Sequence, residues 1–449
     1  MAEGESYPTE FNSEKILWKR QVPPGKSSPV LTGPHIFLTA QQNGKLMVLC
    51  FDRLTGKIVW ERSITPSRDE FQHTLNSAAS STPVTDGENV YAFFGNFGLV
   101  SYSPKGEERW RTPLGPFSSV WGMAASPILA SGNVVLVLDG FGESLIAAFD
   151  QKTGKQKWKA TRLPFALNYS TPILRRASTG QEQIVIAGPG QIMAYDAGSG
   201  EQRWSADIPG AASIIASLAV GTGVVYSLTY SLEGVPSFDE QLKNLDKDGD
   251  GNIGRDEFGT GLNARALEVF GTMHGNRDGT IDRQEWSSIW SQWVGKPVVT
   301  AVRLGETSNG TAARSQTAWS YFRNIPRVPS PLLKDGILYF VNNGGILTAL
   351  DADTGEARKT GRLTGALDNY FSSPVSAAGK LYFTSESGKI AVVKAGTAWE
   401  LLAVNDLGEE CYATPALSAG QIFVRTGQSL LCIGRRRDDA AVGSRLKRQ

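Results

Sequence analysis

The sequence predicts an all-β fold, an eight-bladed β-propeller closed by its own N-terminal strand, with a small α-helical insertion in the fifth blade. Three observations predict it. A short motif ending in Trp recurs along the chain, a Ser/Thr-Pro step recurs at one-blade spacing, and the two chain ends carry complementary partial repeats.

Composition sets the frame. The chain has 449 residues, with 45 Lys+Arg against 44 Asp+Glu, so no global field recruits nucleic acid or an anionic membrane. Apolar residues make up 41% and charged residues 20%, as in a globular protein. The 49 Gly and 22 Pro favour many short strands joined by turns. Three Cys exclude a disulfide framework and no CxxC spacing suggests zinc, while three His (His35, His73, His274) leave little room for histidine relay chemistry. The longest uncharged stretch, 114–138, is interrupted by Gly, Pro and Ser and does not read as a spanning helix. The first residues lack a basic end and an apolar run, so the chain is either cytoplasmic or has lost a signal.

The Trp motif organises the rest. It runs Asp52, Thr55-Gly56, Trp60, then Asp150, Thr153-Gly154, Trp158, then Asp196, Ser199-Gly200, Trp204. A copy with Lys359 in place of Trp begins at Asp351, and a shorter one runs from Ser103 to Trp110. Asp can cap the turn with its carboxylate, Gly supplies a positive φ, and Trp on the next strand offers an apolar plate between neighbouring sheets. Ser/Thr-Pro steps fall at Ser28-Pro29, Thr82-Pro83, Ser126-Pro127, Thr171-Pro172, Ser330-Pro331, Ser373-Pro374 and Thr414-Pro415. The gap between Pro172 and Pro331 holds one more repeat, starting near Ser217-Leu218, and an insertion. Eight repeats of four strands at 41 to 54 residues have the period of propeller blades.

Closure follows from the ends. The last repeat, 411–434, stops after three strands, and the N-terminus supplies an orphan Trp strand around Trp18. Pairing the two completes blade eight and removes both sheet edges, which favours a ring over an open β-solenoid.

On these motifs the chain resembles the PQQ-binding-like eight-bladed β-propellers, over about residues 11–237 and 296–435. That family includes quinoprotein alcohol dehydrogenases and the lipoprotein of the outer-membrane assembly machinery. The resemblance implies a bacterial, periplasmic or secreted protein, and it speaks for fold more than function. The domains expected are a propeller at 11–437, the insertion at 238–295 and a disordered, basic tail at 438–449.

The insertion reads as an EF-hand pair. Asp246, Asp248, Asp250, Asn252 and Glu257 occupy the ligand positions of a calcium loop, with Gly251 at the sharp turn. Phe238, Leu242 and Leu245 before it, and Phe258 and Leu262 after it, are spaced for helices. A second loop offers Asn276, Asp278, Thr280 and Glu285, but His274 stands at its first position, and imidazole is a poor calcium ligand. That loop either binds through water or only pairs with the first. The expected cofactor is Ca2+.

Because strands alternate in direction, the insertion leaves the same face as the loops before each Ser/Thr-Pro step, the face where a propeller channel opens. Those loops collect Arg68, Glu70, His73, Asn76, Trp121, Asn168, Tyr169, Arg323, Arg327, Asp368, Asn369, Tyr370, Glu410 and Tyr412. From these, Arg68, His73, Trp121, Tyr169, Arg327, Tyr370 and Tyr412 are the candidate ligand face, suited to a flat ring or a sugar. PQQ is possible but not favoured, since no vicinal Cys pair is present, and no catalytic residue is assigned. Two readings stand. One is a monomeric, non-catalytic binding or scaffold propeller for a protein or carbohydrate partner. The alternative is a PQQ-dependent or other sugar- or alcohol-active enzyme working at the channel mouth.

Overall fold

A computed structural model describes residues 6–435, apart from 12, 70–72, 74, 118, 120, 141–143, 163–166, 189, 210–212, 232–236, 258–277, 284, 287–294 and 307–311. Eight four-stranded antiparallel sheets follow one another along the chain. Blade 1 is typical, with strands Val30–Thr32, His35–Gln42, Lys45–Asp52 and Ile58–Ile64. Blade 5 has Val224–Ser231 as its second strand and Lys296–Glu306 as its third, and the insertion runs between them. Blade 8 draws its outer strand, Ile16–Gln21, from the N-terminus. Trp18 is in register with Cys432 and Arg20 with Leu430, so the ring closes as expected.

Burial explains the sequence pattern of each blade. The two middle strands lie between neighbouring sheets and are buried on both faces, as in Val90–Phe94 and Gly98–Tyr102, so they read as unbroken apolar runs. Outer strands face water. In Glu108–Pro113 only Trp110 is buried.

That lone Trp is the link to the next blade. Trp110 donates its indole N–H to Gln151 O (3.0 Å), in the Asp150 turn of the following blade, and Trp60 does the same to Pro104 O (2.9 Å). The turn glycine must be Gly for two reasons. Gly154 sits at φ +71°, and a Cβ there would lie 2.5 Å from the ring of Trp110. Trp18 on Gly56, Trp60 on Gly106, Trp158 on Gly200 and Trp319 on Gly355 repeat the arrangement. Cys50, Ser101, Ala148, Ala194, Ala349 and Cys432 lie in register with Trp60, Trp110, Trp158, Trp204, Lys359 and Trp18, which is why that slot is small. Where Lys359 replaces Trp, its ammonium lies 4.4 Å from the ring of Trp399 and donates to Trp399 O (2.7 Å). An indole from the neighbouring blade thus fills the gap.

The Ser/Thr of each Ser/Thr-Pro step forms a second set of links. Ser28 donates its backbone N–H to Thr82 Oγ1, Thr82 to Ser126 Oγ, Ser126 to Thr171 Oγ1, and Thr171 to Ser217 Oγ. Ser217 continues to Ser330, Ser330 to Ser373, Ser373 to Thr414, and Thr414 returns to Ser28. All eight bonds lie between 2.9 and 3.2 Å. The belt is closed. Blade 5 lacks the Pro and keeps the hydroxyl, so the hydroxyl makes the link while Pro holds the preceding residue extended.

The seam between blades 8 and 1 carries extra ties. Arg425, 1% exposed, donates to Ser27 Oγ, Thr39 O and Pro23 O, and burial lowers its pKa to about 9. Upstream of the outer strand, Tyr7 is buried, and Tyr382 and Asn405 of blade 7 donate to Pro8 O and Thr9 O.

Within the insertion one α-helix is described, Phe238–Leu245. It is capped by Ser237, whose hydroxyl accepts from Glu240 N while Glu240 reaches back to Ser237 N. Ile253–Gly254 pairs antiparallel with Thr280–Ile281, and Phe238, Ile253, Ile281 and Trp286 make a separate small core. Phe258 and Leu262, expected on a following helix, and the tail from 436 lie outside the described residues.

Candidate functional site

The inter-blade loops converge on a cavity of about 630 Å3 at the channel mouth. Trp121, Tyr169, Arg327 and Tyr370 of the expected ligand face line it, together with Asn76. Trp121, Tyr169 and Tyr370 are braced from behind. Asn76 donates to Trp121 O (2.8 Å), and the ring of His73 lies 4.0 Å from that of Trp121. The hydroxyl of Tyr169 lies 3.1 Å from Ser119 Oγ. Tyr370 donates its phenol to Ala366 O (2.7 Å) and its backbone N–H to Asn343 Oδ1 (3.0 Å). Burial pushes both phenols well above the usual tyrosine range, so they stay neutral.

Three expected residues do not line the cavity. The Arg68 guanidinium donates to Gly95 O and Leu114 O, tying a hairpin of blade 2 to the loop that leaves its outer strand. His73 accepts Leu75 N–H at Nδ1 (3.1 Å), and its pKa is lowered by burial and by nearby Lys26. Tyr412 donates to Glu386 (2.9 Å) under the ammonium of Lys26, 4.1 Å from its ring, and reaches the cavity only through Phe371, 5.3 Å away. Among the other mouth residues, Asn168 is buried and bonded to Ala187 O, and Asp368 accepts from Ser387 N. Glu70 lies outside the described residues.

Seven lining residues were not singled out from sequence: Leu75, Ala124, Ile215, Tyr230, Val328, Asn343 and Phe371. Tyr230 ends a strand and Asn343 sits in a hairpin, so neither belongs to the loops considered. Hairpins between the second and third strands open on the same face, and that topological signal could have found both. Arg327 stands 5.7 Å above the ring of Tyr230, whose pKa is pushed up to about 12 by burial.

The cavity suits PQQ poorly. That cofactor carries three carboxylates, and among the described lining residues Arg327 is the one cation.

The acidic loop is a separate place. One ligand oxygen from each of Asp246, Asp248 and Asp250 lies within 4.8 Å of the others. Asp246 accepts from Gly249 N and Gly251 N, and Gly251 takes φ +83°. Glu257 is 7% exposed and turns into the loop, accepting from the backbone N–H groups of Lys247, Gly254 and Asp248, which hold its carboxyl below the usual range. Asn252 donates its backbone N–H to Asp250 Oδ1 (2.7 Å). In the second loop Asp278 accepts from Thr280 N and Oγ1, and Glu285 closes on Asp282. Asn276 and His274 lie outside the described residues.

Comparison with known proteins bears on the fold. The family model described as outer membrane protein assembly factor BamB matches residues 3–162, 48–239 and 142–442. BamB from Moraxella catarrhalis superposes with a TM-score of 0.57 at 11% identity, covering 94% of this chain and 98% of that one. The computationally designed Ika8 protein gives 0.54 at 13% identity, covering 95% and 100%. A europium-containing methanol dehydrogenase gives 0.43 at 10% identity, covering 84% of each chain, too loose a likeness to bear on cofactors. No curated protein sequence matches significantly. Overlapping matches that together run from residue 3 to 442 leave one conclusion: this chain belongs to the family of PQQ-like eight-bladed β-propellers described by outer membrane protein assembly factor BamB.

Proposed function

We propose that the chain is a non-catalytic binding propeller that seats a protein or carbohydrate partner at the channel mouth and holds calcium in its inserted module. The observation that carries this reading is the mouth cavity, walled by Trp121, Tyr169, Tyr230 and the adjacent pair Tyr370 and Phe371, which come from four different segments of the ring. Such walls give stacking surface and orientation, which are what a binding site needs.

The acidic loop fits a hard cation. Asp246, Asp248, Asp250 and Glu257 would supply carboxylate oxygens and Asn252 a carbonyl, with Asp278, Thr280 and Glu285 as the weaker set in the paired loop. Calcium would neutralise carboxylates that otherwise repel one another. The family description, an outer-membrane assembly factor, supports a periplasmic or secreted location. No described helix is long and apolar enough to cross a membrane.

Equilibrium binding tests the reading. The full chain is titrated with oligosaccharides, with aromatic-rich peptides, and with PQQ plus calcium. Heat or mobility changes with a sugar or peptide, lost in Trp121→Ala, are expected. A PQQ absorbance shift accompanied by dye reduction with alcohols or aldoses would replace it with the enzyme reading.

A further inference from the structure

We propose that the Arg327–Tyr230 corner of the mouth cavity is a carboxylate subsite, and that the ligand it selects is an acidic oligosaccharide built from uronate sugars. The inference rests on the binding reading above and names its ligand class.

Two observations meet at this corner. Arg327 lies on the cavity wall with its guanidinium over the Tyr230 ring, and none of its donors bonds to a described residue. Tyr230 is 6% exposed, yet its phenol oxygen has no hydrogen-bond partner among the described residues. Native proteins rarely leave a buried hydroxyl unmatched, so the corner has unmet hydrogen-bonding capacity beside a cation. A planar guanidinium held on an aromatic face matches a carboxylate in a two-point, charge-assisted contact. A neutral ligand filling the same space would desolvate the guanidinium without return.

The remaining walls choose the body of the ligand. Trp121, Tyr169 and Phe371 present ring surface from three different blade junctions, spread around the rim. Separate platforms of this kind suit the C–H faces of successive pyranose rings. The Asn343 side chain uses its oxygen on Tyr370 N, leaving its amide N–H groups for a sugar hydroxyl. An extended peptide is the poorer match. Main-chain recognition draws on a free strand edge; each blade has two, the outer strand at the perimeter and the short first strand along the channel, and no residue of either lines the cavity. The volume of about 630 Å3 holds a short oligomer and excludes a folded domain.

The test is calorimetric titration of the full chain with trigalacturonate, a neutral galactose trisaccharide and an aspartate-rich hexapeptide. Trigalacturonate should bind about tenfold or more tighter than the neutral sugar. Arg327→Gln should erase that difference, lowering trigalacturonate affinity about tenfold and changing neutral-sugar affinity much less. Arg327→Lys should keep only part of it, and Tyr230→Phe should weaken the acidic ligand a few-fold. Equal affinity for the two sugars, with Arg327→Gln silent, overturns the proposal. Preference for the peptide overturns the sugar assignment and leaves the binding reading standing. Failure of every probe to bind the wild-type chain sinks both.

Discussion

The propeller and its insertion are held together in different ways. Blades are joined at two radii, by a Trp plate on a turn glycine outside at five junctions and by a Ser/Thr hydroxyl on a backbone N–H inside at all eight. Among its described residues the insertion has a core of four apolar side chains, a two-residue strand pair and a loop of converging carboxylates. One region is stabilised by repetition, so losing a single link leaves the others in place. In the other, four carboxylates crowd into one loop, which is why an ion can matter to it. Breaking links in the ring and withholding calcium from the insertion should therefore have separable effects.

The largest effect should come from the seam. Deleting residues 1–21 removes the outer strand of blade 8 and exposes the edge of Ser429–Ile433. Soluble yield and thermal midpoint should fall sharply, by more than the roughly 3–5 kcal/mol expected for Trp18→Ala alone. A truncated chain that melts like the whole would mean the ring is closed by other contacts.

Next come the plates. Trp60→Ala and Trp158→Ala should each cost about 3–5 kcal/mol in denaturant melts, because each leaves a cavity beside a turn that cannot collapse onto it. Trp121→Ala at the mouth should cost less than about 1 kcal/mol and instead abolish ligand binding. Equal destabilisation at all three positions would make Trp121 a core residue.

The calcium effect should be smaller and local. Binding only to the folded module stabilises it by RT ln(1 + [L]/Kd), about 2.7 kcal/mol at a hundredfold excess over Kd. Limited proteolysis within 238–295 should be slower with calcium than with chelator, while the main melting transition barely moves. Glu257→Gln should remove most of the protection. Cleavage at the same rate in both conditions would show that the loop holds no calcium.

A single belt hydroxyl should matter least. Ser126→Ala leaves the Thr82 N–H without its acceptor and should cost about 1 kcal/mol, with ligand binding unchanged. If two such changes in opposite blades cost far more than their sum, the belt acts as one cooperative unit and not as eight local bonds.

Much of this was legible before any coordinates. Asp52, Gly56 and Trp60, with their copies, encode turn, left-handed backbone and plate through local chemistry, so blade number and strand order follow from counting. Trp18 at one end and the three-strand remainder at the other encode closure in the same way. The carboxylates of 246–257 are close in sequence, so their convergence needs only one tight turn. The Ser/Thr-Pro step was visible as a marker, but its purpose was not, because each hydroxyl serves an N–H 41 to 386 residues away.

What the sequence alone determined is whatever lies within a hairpin: strands, turns, plates, the acidic loop and the face on which each loop emerges. Tertiary structure decided which mouth residues look inward. Arg68 was spent on the carbonyls of Gly95 and Leu114, while Arg327 made no hydrogen bond to a described residue and found Tyr230, nearly a hundred residues distant, beneath it. It also decided that Trp399 fills the place left by Lys359. The reason is physical. A loop side chain's direction is set by the partners that compete for it, and in a closed ring those partners come from other blades.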